Sequence, residues 1–160
     1  MDAEHHRKKV REFMARPPFL KRELTETELR MFCQALTHDS YSNEAGTGTS
    51  YEGPEFLGDA VIELVVRERI FLSEPSSEGN MTVRKNEIVA DHKMSQRILE
   101  KGIDIDSVML VGHGHTDAVT KKNVICESMR ADSFEALIAS VYLLYGLNEA
   151  GRVVSAVLFE

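Results

Sequence analysis

Glu55-Phe56-Leu57-Gly58-Asp59-Ala60-Val61-Ile62-Glu63-Leu64-Val65-Val66-Arg67-Glu68-Arg69-Ile70-Phe71-Leu72 is the stretch on which the fold turns. Wound at 3.6 residues per turn, Phe56, Leu57, Ala60, Val61, Ile62, Leu64, Val65 and Val66 cover most of the helix circumference. A helix apolar on so many sides has to lie in the middle of a bundle. Pro54 precedes it where a proline at the first helical position is expected, and Pro75 and Gly79 mark the loop 73–80 that ends it.

Helical periodicity also dominates on both sides of this segment. Upstream, Val10, Phe13 and Met14 recur at helical spacing within 3–15, and Pro17-Pro18 stops that helix. Thr25 and Glu28 form a T-x-x-E capping box, followed by an apolar face of Leu29, Phe32, Cys33 and Leu36. Residues 42–53 are polar and rich in Gly, Ser and Thr, which predicts a loop. Downstream, 81–101 is expected to be one amphipathic helix with Ile88, Val89, Met94, Ile98 and Leu99 inward, ended by Gly102. Residues 112–123 are expected as loop. A long helix over 126–145 stopped by Gly146 and a last one over 148–159 complete the chain. No repeats, linkers or strand patterns interrupt this order, so the expectation is one all-α domain over residues 1–160.

The composition is that of an ordinary globular protein, 42% apolar and 28% charged, with no apolar run able to cross a bilayer. The charged N-terminus has no signal-like apolar segment, and Cys33 and Cys126 have no metal-like or redox-like spacing. These features lead to the expectation of a cytoplasmic protein with reduced thiols. A net charge of −7 argues against a simple nucleic-acid binder, which draws its affinity from Lys and Arg on phosphates. A metal-using enzyme escapes that objection, because bound cations add positive charge that the formal count omits.

Two acidic pairs point to such a site. Glu55 and Asp59 are spaced i, i+4 at the start of the most apolar helix, and Asp132 and Glu135 are spaced i, i+3 beside the stripe Ala131, Phe134, Ile138, Val141 and Tyr145. No Lys or Arg stands at i+3 or i+4 from Glu55 or Asp59. Burying a carboxylate unpaired costs several kcal/mol, so two such pairs facing each other in a bundle would form an oxygen-lined cage for Mg²⁺ or Mn²⁺. Each pair alone has an ordinary explanation: acids favour the first turn of a helix through its dipole, and i, i+3 acids are common on solvated faces.

The residues around these pairs carry a resemblance. Glu55-Phe56-Leu57-Gly58-Asp59-Ala60-Val61 resembles the EFLGDAV signature of the ribonuclease III family, Leu36-Thr37-His38-Asp39-Ser40-Tyr41 its LTHxSY segment, and Ala131-Asp132-Ser133-Phe134-Glu135-Ala136-Leu137-Ile138 its ADAFEALI segment. Met81-Thr82, Lys85 and Ile88-Val89 are similar to an LTxxRxxLV helix. Three motifs in the right order over about residues 25–158 are far more specific than one. The resemblance implies an all-α ribonuclease III-type endonuclease domain that uses Mg²⁺, with Mn²⁺ as substitute, to hydrolyse double-stranded RNA into 5′-phosphate and 3′-hydroxyl ends. It implies Glu55, Asp59, Asp132 and Glu135 as the metal-site and catalytic carboxylates, with Asp59 and Glu135 as direct ligands. It further implies a homodimer in which Phe56 inserts into the partner, and Glu52 as an acid near the cleavage site. Arg84, Lys85, Lys121 and Lys122 are candidate phosphate contacts, and His38 is expected to be structural. His113 and His115 read as solvated loop.

The departures are Tyr51-Glu52-Gly53-Pro54, where the family commonly has Asn-Glu-Arg-Leu, and Ala139 in place of a usual glycine. These leave the four acids in place. Many relatives add a C-terminal double-stranded-RNA-binding domain; the resemblance here is to the nuclease domain alone. The alternative reading is a catalytically silent RNA- or ribonucleoprotein-binding member of the same fold, which would be expected to have lost one of the acids.

Overall fold

The computed structural model describes residues 3–73 and 75–160. Nine α-helices follow one another among these residues: α1 (Ala3–Met14), α2 (Glu26–Ala35), α3 (Asp39–Ala45), α4 (Glu52–Ser73), α5 (Glu78–Val89), α6 (Asp91–Glu100), α7 (Ile105–Val108), α8 (Glu127–Tyr145) and α9 (Leu147–Leu158), with a 3-10 turn over His113–His115. No strand forms among the described residues; two isolated bridges, Thr37 with Leu110 and Thr116 with Asn123, tie loops together. No helix among them is long and apolar enough to cross a membrane.

The core is one continuous cluster built around α4 and α8, the most extensively packed pair. From α4 it takes Val61, Ile62, Val65, Val66 and Ile70; from α8 it takes Ala131, Phe134, Ala136, Leu137, Ile138 and Val141. α8 buries residues on every side, which is why α2, α4, α6 and α9 can all pack on it. The Thr25 capping box forms as the sequence predicts, with Thr25 accepting from the Glu28 N–H and Glu28 from the Thr25 N–H.

Four segments differ from expectation. Residues 39–45 form α3, capped by His38 at one end and by left-handed Gly46 at the other, where the sequence suggested loop from residue 42. α4 starts at Glu52, so Pro54 is the third helical residue; its missing N–H is still one of the unpaired N-terminal donors and breaks no bond. The expected helix over 81–101 is two, α5 and α6, separated at Ala90, whose extended backbone (φ −64°, ψ 135°) redirects the chain so that α5 packs on α4 and α6 on α8. The loop expected over 112–123 contains the short 3-10 turn at its start.

Candidate metal centre

Glu55 lies in the first turn of α4, and Asp132 and Glu135 lie in the buried middle of α8. The two helices can cross there because position 58 is glycine. A Cβ at Gly58 would stand 1.9 Å from the carbonyl oxygen of Glu135 and 2.4 Å from its carbonyl carbon, so α4 backbone lies directly on α8 backbone. That approach carries Glu55 up to the acids of α8. One carboxylate oxygen from each of Glu55, Asp132 and Glu135 falls within a set whose members all lie within 4.8 Å of one another.

The electrostatics fit a site made for a cation. Glu135 is 9% exposed, and burial, followed by the charges of Asp59, Asp132 and Glu55, pushes its carboxyl up to about 8. Burial and then Asp132, Glu52, Asp59 and Asp91 push Glu55 up to about 7. Asp132 is pushed up to about 6 by burial and then by Asp91, with the Tyr51 hydroxyl acting the other way. Among the described residues no Lys, Arg or His pairs with any of the three, and the Tyr51 hydroxyl, 3.5 Å from Asp132 Oδ2, is the one side-chain donor that reaches them. Three carboxyl groups, one buried and two half-buried, with no cationic side chain among the described residues paired to them, make a hard-oxygen donor set of the kind that suits a divalent cation.

The structure places the remaining site candidates unevenly. Asp59 is exposed and lies outside the three-carboxylate set, although its charge acts on both Glu135 and Glu55. Glu52 is exposed at the start of α4 and acts on Glu55. Phe56 points to solvent with 85% of its surface exposed. Lys85 is a correction: it is buried and ion-paired with Glu63 of α4, so its ammonium braces α5 against α4 and is not free for a phosphate. Arg84 is exposed beside Glu87. Lys121 and Lys122 are exposed on a turn closed by the Asp117 N–H to Lys122 carbonyl bond, and Asn123 anchors that turn by donating to the Asp106 and Met109 carbonyls.

His38 caps α3, accepting from the Ser40 N–H, as a structural histidine should. His113 is exposed and paired with Glu44, whereas His115 is half-buried against the His38 ring. Both cysteines are free, Cys33 half-buried and Cys126 exposed.

Sequence reasoning missed two members of this neighbourhood. Asp91, the first residue of α6, acts on Glu55, Asp132 and Glu135 alike. Tyr51, immediately before α4, reaches Asp132. Asp91 has no sequence signal, because its position depends on the turn at Ala90; Tyr51 had one, as the first residue of the tetrapeptide that departs from the family pattern.

Helical fold and carboxylate centre together define a class of protein, and comparison with known proteins gives the family. The Ribonuclease-III-like family model matches residues 28–160, and the chain belongs to that family. It is 34% identical over 127 residues to Ribonuclease 3 of Bifidobacterium longum, covering 78% of this chain and 50% of that protein. It is 33% identical over 129 residues to Ribonuclease 3 of Oleidesulfovibrio alaskensis, covering 79% and 54%. The chain thus spans about half the length of the curated relatives it matches. In fold it is similar to the nuclease domain of Ribonuclease III from Campylobacter jejuni, with a TM-score of 0.70 at 21% identity over 98% of each chain.

Proposed function

We propose that residues 1–160 form one nuclease unit that hydrolyses double-stranded RNA, using a divalent cation held by Glu55, Asp132 and Glu135, and leaves 5′-phosphate and 3′-hydroxyl ends. The observation that carries this reading is the meeting of three carboxylates from two core helices with no cationic side chain among the described residues paired to them. A divalent ion bound there supplies positive charge against the negative charge that develops on a phosphodiester during attack by water. Glu135 and Asp132 fix the buried side of the site, and Glu55 closes it from α4. Asp59, exposed beside the cluster, is assigned to a solvent-side role, ligating or orienting water at the rim. The acids at Glu52 and Asp91 add to the negative field that draws a cation in.

Binding of the polyanion itself is assigned to the cation together with Lys121, Lys122 and Arg84. With a net charge of −7, affinity for RNA is expected to be weak, metal-assisted and salt-sensitive. The exposed Phe56 shares a face of α4 with Ala60 and Leu64, the latter 51% exposed, and this apolar strip supports a homodimer with two such sites; a role in RNA processing in the cytoplasm belongs to the same proposal.

The test is cleavage of an end-labelled RNA duplex in Mg²⁺ by the parent chain and by Glu135→Gln. Cutting into 5′-phosphorylated fragments by the parent, abolished in the variant, is the expected result. No cutting by the parent at low salt in either Mg²⁺ or Mn²⁺ would overturn the proposal.

A further inference from the structure

Tyr51 touches the carboxylate centre, and the proposed chemistry leaves it without a role. It is 4% exposed, and its phenol, protonated at neutral pH, stands 3.5 Å from Asp132 Oδ2. The residue is held at three points. Its N–H donates to the Thr37 carbonyl at 2.9 Å, and its own carbonyl accepts the Glu55 N–H at 2.8 Å as the opening bond of α4. Its ring meets His38 edge-on, with centroids 5.5 Å apart and planes at 75°. His38 is fixed in turn by Ser40 and packed against His115, 5.0 Å away. One residue therefore begins the helix that carries Glu55 and reaches across to the helix that carries Asp132.

We infer that Tyr51 is a positioning residue for the metal centre: its hydroxyl holds Asp132 turned toward Glu55 and Glu135. Asp132 needs such a restraint. Asp91 repels it, a free aspartate side chain has several staggered rotamers, and no other side chain among the described residues donates to it. A ligand held in one rotamer before the cation arrives loses less freedom on binding, so the hydroxyl appears as cation affinity and not as affinity for RNA. This inference rests on the proposed metal-dependent reading. Tyr51 belongs to the tetrapeptide in which this chain departs from its family's pattern, so the restraint follows from this sequence's own residues.

The experiment is titration of RNA-free protein with Mn²⁺ by isothermal calorimetry, for the parent and for Tyr51→Phe, with melting in EDTA alongside. The variant is expected to melt close to the parent in EDTA, because the ring and its packing remain. Its Mn²⁺ affinity is expected to fall about three- to tenfold, the range for one long hydrogen bond to a charged acceptor. In cleavage assays the Mg²⁺ concentration for half-maximal rate should rise by a similar factor, while KM for RNA at saturating Mg²⁺ stays unchanged. Parental Mn²⁺ affinity in Tyr51→Phe overturns the role of Tyr51 and leaves the metal centre standing. A parent that binds no Mn²⁺ overturns both. A variant that fails to fold shows the hydroxyl to be structural and also overturns the inference.

Discussion

Replacing Glu135 by glutamine should make the metal-free protein more stable, the opposite of what loss of a nearly buried polar contact usually does. The Glu135 carboxyl is 9% exposed and stands among Glu55, Asp132 and Asp59, and its pKa is pushed from 4.5 up to about 8, first by burial and then by those charges. A carboxyl raised in the folded state favours the fold's protonated form. Its ionisation therefore costs nothing below pH 4.5, costs increasingly as pH rises, and costs its full amount above pH 8. At about 1.4 kcal/mol per unit, the cost for an isolated group is about 3 kcal/mol at pH 7 and about 5 kcal/mol above pH 8. Glu55 and Asp132 share the same repulsion and protonate in concert with it, so an observable gain of about 1–3 kcal/mol for Glu135→Gln is the sounder expectation. For a chain of this length that corresponds to roughly 3–10 °C in Tm. The assay is thermal unfolding followed by circular dichroism at fixed protein concentration, from pH 4.5 to 9, in EDTA and in millimolar MgCl₂. In EDTA the variant should exceed the parent at pH 8, and the difference should close toward pH 4.5. In Mg²⁺ the parent should gain stability, most at high pH, and the variant should gain much less. A variant less stable than the parent in EDTA at pH 8 would refute the argument that the cluster stores repulsion for a cation to relieve.

Three further predictions follow from other parts of the molecule. His6 is buried, its Nε2 has no hydrogen-bond partner among the described residues, and burial lowers its pKa from 6.5 to about 4. Below pH 6.5 the unfolded chain takes up a proton that the folded one refuses, so this residue should cost about 3 kcal/mol by pH 4; urea unfolding of His6→Leu should show a growing advantage over the parent between pH 7 and 4. Gly58→Ala would force a Cβ to 1.9 Å from the Glu135 backbone oxygen, which only separation of α4 from α8 can relieve; a loss of about 3 kcal/mol or more in urea unfolding is expected, and a shift under 1 kcal/mol would contradict the described crossing. Phe56→Glu puts a charge on the exposed apolar strip of α4, and sedimentation should show a dimeric parent and a monomeric variant of unchanged helicity.

What could be read from the sequence was whatever a local pattern encodes. α4 and α8 were legible because long apolar runs at helical spacing leave no other fold, and α2 because its capping box is spelled out in Thr25 and Glu28. Glu55, Asp132 and Glu135 were legible as acids beside apolar stripes. α3 was not: its residues, Asp39–Ala45, are mostly polar, only Ser42 is buried, and the helix depends on its His38 and Gly46 caps. The break at Ala90 was not read either: no Gly or Pro marks the turn, and the local sign of it is slight, a five-residue step from Val89 to Met94 that slips off the i, i+3, i+4 pattern. Missing that break hid Asp91, whose distance from the centre depends on where α6 starts. Asp59 shows what spacing alone does not fix: i, i+4 puts it on the same face as Glu55, and its charge acts on both Glu135 and Glu55, yet its carboxylate stands outside the three-carboxylate set.

The position of Gly58 links stability and the candidate chemistry in a way neither shows alone. Two helices at ordinary separation, about 8–10 Å between axes, would leave side chains between Glu55 and the acids of α8. Removing the side chain at 58 lets the backbones touch, and the same contact that tightens the core forces carboxylates together. Repulsion among them is then built into the fold rather than added at its surface, where solvent and salt would screen it. A surface cluster could relax by rotating its side chains outward; Glu135, set on the most buried helix of the molecule, has nowhere to turn. The energetic strain of the metal-free state therefore falls on whatever cation can enter, and a centre of this kind is expected to bind its ion by relief of repulsion as much as by the strength of any single ligand.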